Sequence, residues 1–312
     1  MCTMRAPPQR TRKTRLAANL HDVHGLQMAG IPDIRIVLAL LVTLIVSYGT
    51  RYSILNSTFL DTSDPFITTT HHLTDTHFFA SKKNPLNVYF LKYAWAWTSA
   101  VFLPALATTP PERWTRRALQ YATAMMCWIA FTSWFFGPAL IERIIDYTGG
   151  QCVVHVDDRF FVPVPVEYCF RREMISHHTH PHLFPAPLLE LEAAPSIPRL
   201  RRGHDVSGHI FLLTLSVLFL GDQIRQSLAF KRYWNIVHET AVVASGALSI
   251  LWLFSLYVTS VYFHTAYEKY TGLALGFFSF ALSQWPVWVM PAEFPPAAVE
   301  AARSARRQRR MS

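Results

Sequence analysis

Charge is what this chain has least of. Asp, Glu, Lys and Arg make up only 16% of its 312 residues, against 51% hydrophobic residues. That is too little charge to wrap a soluble core of this size, and the apolar residues come in blocks rather than in alternation, which excludes a soluble globular class and leaves a membrane protein. Also missing is a secretory signal: the first apolar run starts well inside the chain and has no small-residue cleavage site. No internal repeat stands out. The net charge is +9, yet no recognition motif accompanies the arginines, so nucleic acid is not the expected partner. Basic flanks drawn to anionic membrane lipids account for the balance.

What is present is a series of charge-poor windows. The first lies between Arg35 and Arg51, and the next four run Tyr93 to Pro111, Ala118 to Ile141, Val206 to Gly221 and Thr240 to Phe263. The sixth runs Tyr270 to Ala292. A bilayer takes about 20 residues of helix. The third, fifth and sixth windows satisfy this outright, whereas the fourth is the weakest, with a re-entrant or interfacial helix as its alternative. The expectation is an all-α polytopic protein with six transmembrane helices over residues 34–292, flanked by basic tails at 1–33 and 293–312. Arg5, Arg10, Arg12, Lys13 and Arg15 precede the first window, Arg113, Arg116 and Arg117 fall between the second and third, and Arg303 to Arg310 crowd the tail. The positive-inside rule makes that side cytosolic, with both termini on it. Arg51, Lys82, Lys83 and Lys269 fall on the other side, against the rule.

Two connections are then luminal. One carries Asn56-Ser57-Thr58, a glycosylation sequon next to the first span. The other, about 142–205, holds Cys152 and Cys169, a candidate disulfide in an oxidising compartment, with two unpaired thiols as the alternative. It also holds His177, His178, His180 and His182, followed by a run of prolines. No cysteine or carboxylate lies within that tract, so it reads as a solvated linker rather than a metal site, and no metal or cofactor is expected.

Opposite-running fourth and fifth spans bring His209, at the start of one, and His264, at the end of the other, to the same membrane face. Ionisable groups at that depth are expensive without a function. Cleaving a phosphate ester or anhydride without a metal takes a nucleophile, an acid for the leaving oxygen and donors for the phosphoryl oxygens. Histidine serves both of the first two roles. Glu268 lies four residues after His264, so on a helical turn its carboxylate would orient the ring. Ser207 and Gly208 open a helix whose unpaired N–H groups attract anions, and Lys269 and Arg143 add positive charge. Singly, each has a plainer reading: Ser207 as an N-cap, His209 as an interfacial side chain, His264 and Glu268 as a solvated pair.

Ser207-Gly208-His209 resembles the second signature of the type 2 phosphatidic acid phosphatase superfamily, and His264 with Glu268 resembles its third, while the first, a lysine-arginine-proline motif, has no counterpart. The block from Gly203 to Thr214, together with Tyr262-Phe263-His264-Thr265, Glu268-Lys269 and Gly272, resembles the fat storage-inducing transmembrane family, in a fungal-type member. Glu142, Thr148-Gly149 and Cys152 agree with it, and the resemblance covers about residues 34–290. It implies a lipid-phosphatase-like helical bundle in the endoplasmic reticulum membrane with a luminal site, linked to lipid droplet formation and phospholipid synthesis. It also implies cleavage of fatty acyl-CoA at its pyrophosphate, giving acyl 4′-phosphopantetheine and adenosine 3′,5′-bisphosphate, with His264 as nucleophile and His209 as acid. A different class of reading is a non-enzymatic scaffold that binds di- or triacylglycerol between aromatic-rich helices. Acyl-chain preference and oligomeric state are not legible.

Overall fold

The computed structural model describes residues 33–59, 71–133, 138–157, 160–186 and 195–290. Both basic tails lie outside the described residues, except for Asp33 at the inner edge of the first. Helix α1, Ile34–Asn56, is N-capped by Asp33, whose carboxylate accepts the Arg35 N–H at 3.0 Å. Asn56 is its last residue and donates its side-chain amide to the Tyr52 carbonyl at 2.9 Å. Irregular helical turns from Leu86 to Tyr93 lead into α2, Ala94–Ala107, and α3 follows at Pro111–Thr132. Then come α4 (Leu140–Tyr147), the strands β1 (Gln151–Asp157) and β2 (Phe160–Pro163), α5 (Val166–Arg171) and β3 (Arg199–Arg201). The chain finishes with α6 (Gly208–Leu228), α7 (Ile236–Tyr262), α8 (Ala266–Ser283) and the short α9 (Trp285–Val289).

Among the described residues, three helical segments are long and apolar enough to cross a membrane: Ile34–Asn56, Ile236–Tyr262 and the run Ala266–Val289. The other windows are also helical but differ from expectation. The third window's helix starts earlier, with Pro111 in its first turn where the missing N–H is no loss. This puts Arg113, Arg116 and Arg117 on the helix itself rather than in a connection. That helix ends at Thr132, and Ile141 belongs to α4.

The fourth window, the weakest in sequence, forms the centre of the molecule. Every residue of α6 from Ile210 to Gln223 is buried, and α7, α8, α1, α2 and α3 all pack around it. A helix that is apolar on all sides belongs inside a bundle. Asp222 does not end it: the helix runs on to Leu228 because a polar network receives that carboxylate. Gln120 and Gln226 donate to Asp222 Oδ2 at 3.0 and 2.8 Å, and Arg225 donates to Oδ1 at 2.7 Å. Arg117, 1% exposed, donates to the Gln223 side chain and to Thr109 Oγ1, each at 2.8 Å.

The expected all-α architecture and solvated linker are corrected at residues 142–205. A three-stranded antiparallel sheet, in the order β2-β1-β3, stands there. Cys152 and Cys169 are joined by a disulfide with Cα atoms 5.9 Å apart. Cys152, Val154, Val162, Cys169, Ile175 and Phe184 make a second, separate core. The cause lies in the period-two pattern of the strands, which the prolines do not interrupt: Pro163 ends β2 and Pro165 caps α5. The histidine tract packs on this unit. The His177 and His178 rings meet at a tilt with centroids 3.8 Å apart, and His180 Nε2 lies 3.4 Å from Glu173 Oε1. Among the described residues no group of His, Cys, Asp or Glu is arranged to hold a metal ion.

Small residues set the helix spacing, as in other membrane bundles. A Cβ on Gly276 of α8 would lie 2.7 Å from Thr214 Cβ and 3.0 Å from the Phe211 carbonyl of α6. Neither neighbour is the far end of a flexible side chain, so Gly276→Ala should destabilise the bundle by about 1–3 kcal/mol, the usual range for overpacking. Thermal unfolding in detergent reads this as a lowered midpoint; an unchanged midpoint would show that α6 and α8 do not pack this tightly.

Candidate active site

Helix α7 ends at Tyr262, and α8 begins after the N-cap Thr265. His264 lies between them with φ of +65°, in the left-handed region that costs a non-glycine residue of order 1–3 kcal/mol and recurs at functional sites. The neighbouring capping box holds it there. Thr265 Oγ1 accepts the Glu268 N–H at 3.4 Å, and Glu268 Oε2 accepts the Thr265 N–H at 2.8 Å. The same carboxylate oxygen is 3.5 Å from His264 Nδ1. The expected approach of Glu268 to His264 is therefore present, but through a turn and an N-cap rather than along one helical face, since His264 is outside the helix.

The segment before α6 rests on the first turns of α8. The Ser207 N–H donates to the Glu268 carbonyl at 3.1 Å, and the Asp205 N–H donates to Glu268 Oε1 at 3.3 Å. His204 Nε2 meets Thr271 Oγ1 at 2.9 Å. Gly272 permits this contact, because a Cβ there would stand 2.6 Å from the Ser207 carbonyl. Ser207 then caps α6 through its hydroxyl, which accepts the Ile210 N–H at 3.4 Å, and His209 follows in the first turn.

His209 and His264 line one cavity of about 340 Å³. Its polar lining includes Asp205, Lys82, Lys92, Asn84 and Asn87, and its apolar lining includes Leu86, Leu91, Val258 and Phe263. Sequence reasoning missed the lysines and asparagines as site residues. Local structure brings them in. The Asn84 amide donates to the Ser81 carbonyl at 2.6 Å while its oxygen accepts the Asn87 N–H at 2.8 Å, and Asn87 donates to the Lys82 carbonyl at 2.7 Å. The following turn, Leu86–Phe90, is a π-turn, a local widening common at functional sites, and it is followed by Leu91 and Lys92 on the cavity side. The signal available in sequence was that Lys82 defied the positive-inside rule.

The remaining candidates lie elsewhere. Lys269, 1% exposed, donates to Ser53 Oγ of α1 at 3.3 Å and lies over the Phe59 ring at 5.6 Å. One residue further along α8 than Glu268, it faces α1 and is not among the residues that line the cavity. Arg143 on α4 donates to the Pro138 carbonyl at 3.0 Å and does not line it either. The Ser207 hydroxyl and N–H are engaged by the cap and by Glu268, so of the two residues opening α6, Gly208 is the one whose N–H is left for a ligand.

Asp205 has its carboxyl pKa raised, first by burial and then by the negative charge of Glu268, with His264 and Lys82 pulling the other way. An acid shifted upward is neutral, and able to donate to a phosphoryl oxygen, below its shifted pKa; above it, the carboxylate repels anions. Affinity for inorganic pyrophosphate should therefore fall as pH rises through this titration, and Asp205→Asn should flatten the fall. Binding curves across pH for both proteins check it, and an identical decline in the variant would remove Asp205 from the site.

Comparison with known proteins fits this arrangement. The family model described as fat storage-inducing transmembrane protein matches residues 75–247 and 225–283. The chain is similar to acyl-coenzyme A diphosphatase fit1 of Schizosaccharomyces pombe, 31% identical over 225 residues, which cover 72% of this chain and 77% of that protein. It is also similar to acyl-coenzyme A diphosphatase FITM2 of Xenopus tropicalis, 29% identical over 70% of this chain and 76% of the relative, and to human FITM2, 26% identical over 65% and 70%. No solved structure matches. The match spans the helices that carry both histidines, the turn bearing Lys82 and the sheet between them, and the chain belongs to the fat storage-inducing transmembrane protein family.

Proposed function

We propose that the protein is a fatty acyl-CoA diphosphatase of the endoplasmic reticulum membrane, supporting lipid droplet formation and phospholipid homeostasis. The observation that carries this is one cavity lined by two histidines, one in the first turn of α6 and one in the turn before α8, together with two lysines and apolar side chains, in a chain whose relatives bear that activity in their names. The lysines suit the charge of a diphosphate, and Leu86, Leu91, Val258 and Phe263 suit the aliphatic part of an acyl ester on its way to the bilayer.

His264 is the nucleophile. With Nδ1 turned to Glu268, Nε2 attacks the phosphorus nearer pantetheine. The N–P bond forms as the bridging P–O bond breaks, and the electron pair leaves with the oxygen of adenosine 3′,5′-bisphosphate. His209 gives that oxygen its proton. Water then attacks the phosphohistidine and loses a proton to His209, releasing acyl 4′-phosphopantetheine and restoring both rings. Lys82 and Lys92 hold the phosphoryl oxygens as charge develops.

In the membrane, α1, α2, α3, α6, α7 and α8 form six spans, with both termini cytosolic and the catalytic cavity and the sheet luminal. Helix α6, at ~1.5 Å per residue, is about as long as the hydrocarbon core is thick, with Asp222 and Arg117 toward the cytosolic side. Asn56 is then a luminal sequon close to the membrane.

Two experiments test this reading. Purified protein incubated with oleoyl-CoA in detergent should release adenosine 3′,5′-bisphosphate, identified by mass. His264→Ala should abolish release, and His209→Ala should be severely impaired except with an aryl phosphodiester whose leaving group needs no proton. Glu268→Gln should lose on the order of 10- to 10⁴-fold, as with other carboxylates that orient a catalytic histidine. Wild-type turnover in His264→Ala would end the enzymatic reading and favour a di- or triacylglycerol-binding scaffold. In sealed microsomes, protease should remove both tails and spare residues 142–205; digestion of that segment would put the histidines on the cytosolic side.

A further inference from the structure

Strand alternation gives the small sheet two faces. Cys152, Val154, Val162 and Leu200 point to the disulfide-bearing core. Their neighbours His155, Phe161, Arg199 and Arg201 line a second cavity of about 740 Å³, which Lys82 and Lys83 also line. The register supports the grouping: His155 pairs with Phe161, and Arg199 and Arg201 pair with Val153 and Gln151 of β1. Such a volume is in the range of small-molecule sites, about 300–1,000 Å³.

Like charges two residues apart on one strand face repel each other unless something answers them. Arg201 has its pKa lowered by burial and by Arg199, and Lys82 has its own lowered by desolvation and by both arginines, with only Asp205 pulling the other way. Among the described residues no carboxylate forms an ion pair with Lys82, Lys83, Arg199 or Arg201. The group that would relieve this repulsion is an anion. The cavity also offers a flat aromatic surface, with the Phe161 ring 5.6 Å from the Arg201 guanidinium and edge-on to His155 at 4.5 Å. Lys82 lines both this cavity and the catalytic one, so a ligand with two phosphate sites could reach across it.

We propose that the sheet cavity binds the 3′-phosphorylated adenosine end of the CoA ester, with Arg199 and Arg201 on the 3′-phosphate and Phe161 against the adenine, while the diphosphate lies at Lys82 and His264. This rests on the diphosphatase reading and adds to it a specificity device: the sheet distinguishes CoA from its 3′-dephospho form. Fork-like arginine pairing with phosphate suits such discrimination. The leaving nucleotide departs along the cavity that recognised it.

The test compares oleoyl-CoA with 3′-dephospho-oleoyl-CoA in the wild type, in Arg199→Ala/Arg201→Ala and in Arg199→Lys/Arg201→Lys. For oleoyl-CoA the alanine pair should raise KM by about 10- to 100-fold, the worth of charge-assisted hydrogen bonds, with little change in kcat. For the dephospho ester KM should hardly move, so the wild type's preference for the 3′-phosphate collapses. The lysine pair, which keeps the charge and the strand, should recover part of the preference. A wild type without preference, or variants impaired equally on both esters, would overturn the subsite and leave the diphosphatase intact. If neither ester is turned over, the underlying reading fails, and binding still decides the subsite. Adenosine 3′,5′-bisphosphate should bind the detergent-purified protein more tightly than adenosine 5′-monophosphate, and the alanine pair should abolish the difference. Equal binding of the two nucleotides by the wild type would refute it.

Discussion

Glu268 is the residue through which the two halves of the site are made one. Its carboxylate closes the capping box of α8 on Thr265, approaches His264 Nδ1 and receives the Asp205 N–H, while its carbonyl receives the Ser207 N–H at the head of α6. Two helix N-termini are thereby fastened to each other, and each carries one histidine. A buried carboxylate is tolerable only when its oxygens are occupied, and here every contact that occupies them also places a site residue. The left-handed backbone at His264 is held by the same bonds.

The second constraint is the membrane-like character of the bundle. Between apolar helices in lipid there is little hydrophobic drive to associate, because lipid tails are as apolar as leucine. What holds α6 at the centre is close packing at Gly276 and Gly272, together with polar contacts at its two ends. Ser207 and Glu268 secure one end, and Asp222, Gln223, Gln120 and Arg117 the other. Arg117 and Asp222, read from sequence as loop charges and a helix stop, become interior groups because each is met by partners.

The parts of this structure that could be read from the sequence are those encoded by neighbours in the chain. His209 with its serine and glycine, and His264 with Glu268, announce themselves as local blocks, and the apolar windows mark the helices to within a few residues. The disulfide partners were legible as a pair but not as a bond. What escaped notice was created by tertiary contact. Lys82 and Lys92 reach the cavity through a π-turn and an asparagine-braced loop, which no hydrophobic pattern encodes. Arg199 and Arg201 gain meaning only when β3 pairs with β1. Lys269 stands beside Glu268 in sequence but points to Ser53, since adjacent helical positions differ by about 100° around the axis. The alternation in β1 and β2 is short, and it becomes a sheet only when the two strands and β3 pair.

The connection from Arg201 to His209 has a further bearing. It is short, it passes through Gly203 at φ +71°, where a side chain would collide with the Ile145 carbonyl, and it is bonded by the His204 N–H to Thr148 Oγ1 at 2.7 Å. An extended residue adds roughly 3.3 Å of reach, more than the length of a hydrogen bond. Inserting or deleting one residue here would slide the arginines relative to the histidines by a full contact distance. The link therefore acts as a ruler that sets the distance between the arginines of β3 and the histidine at the head of α6.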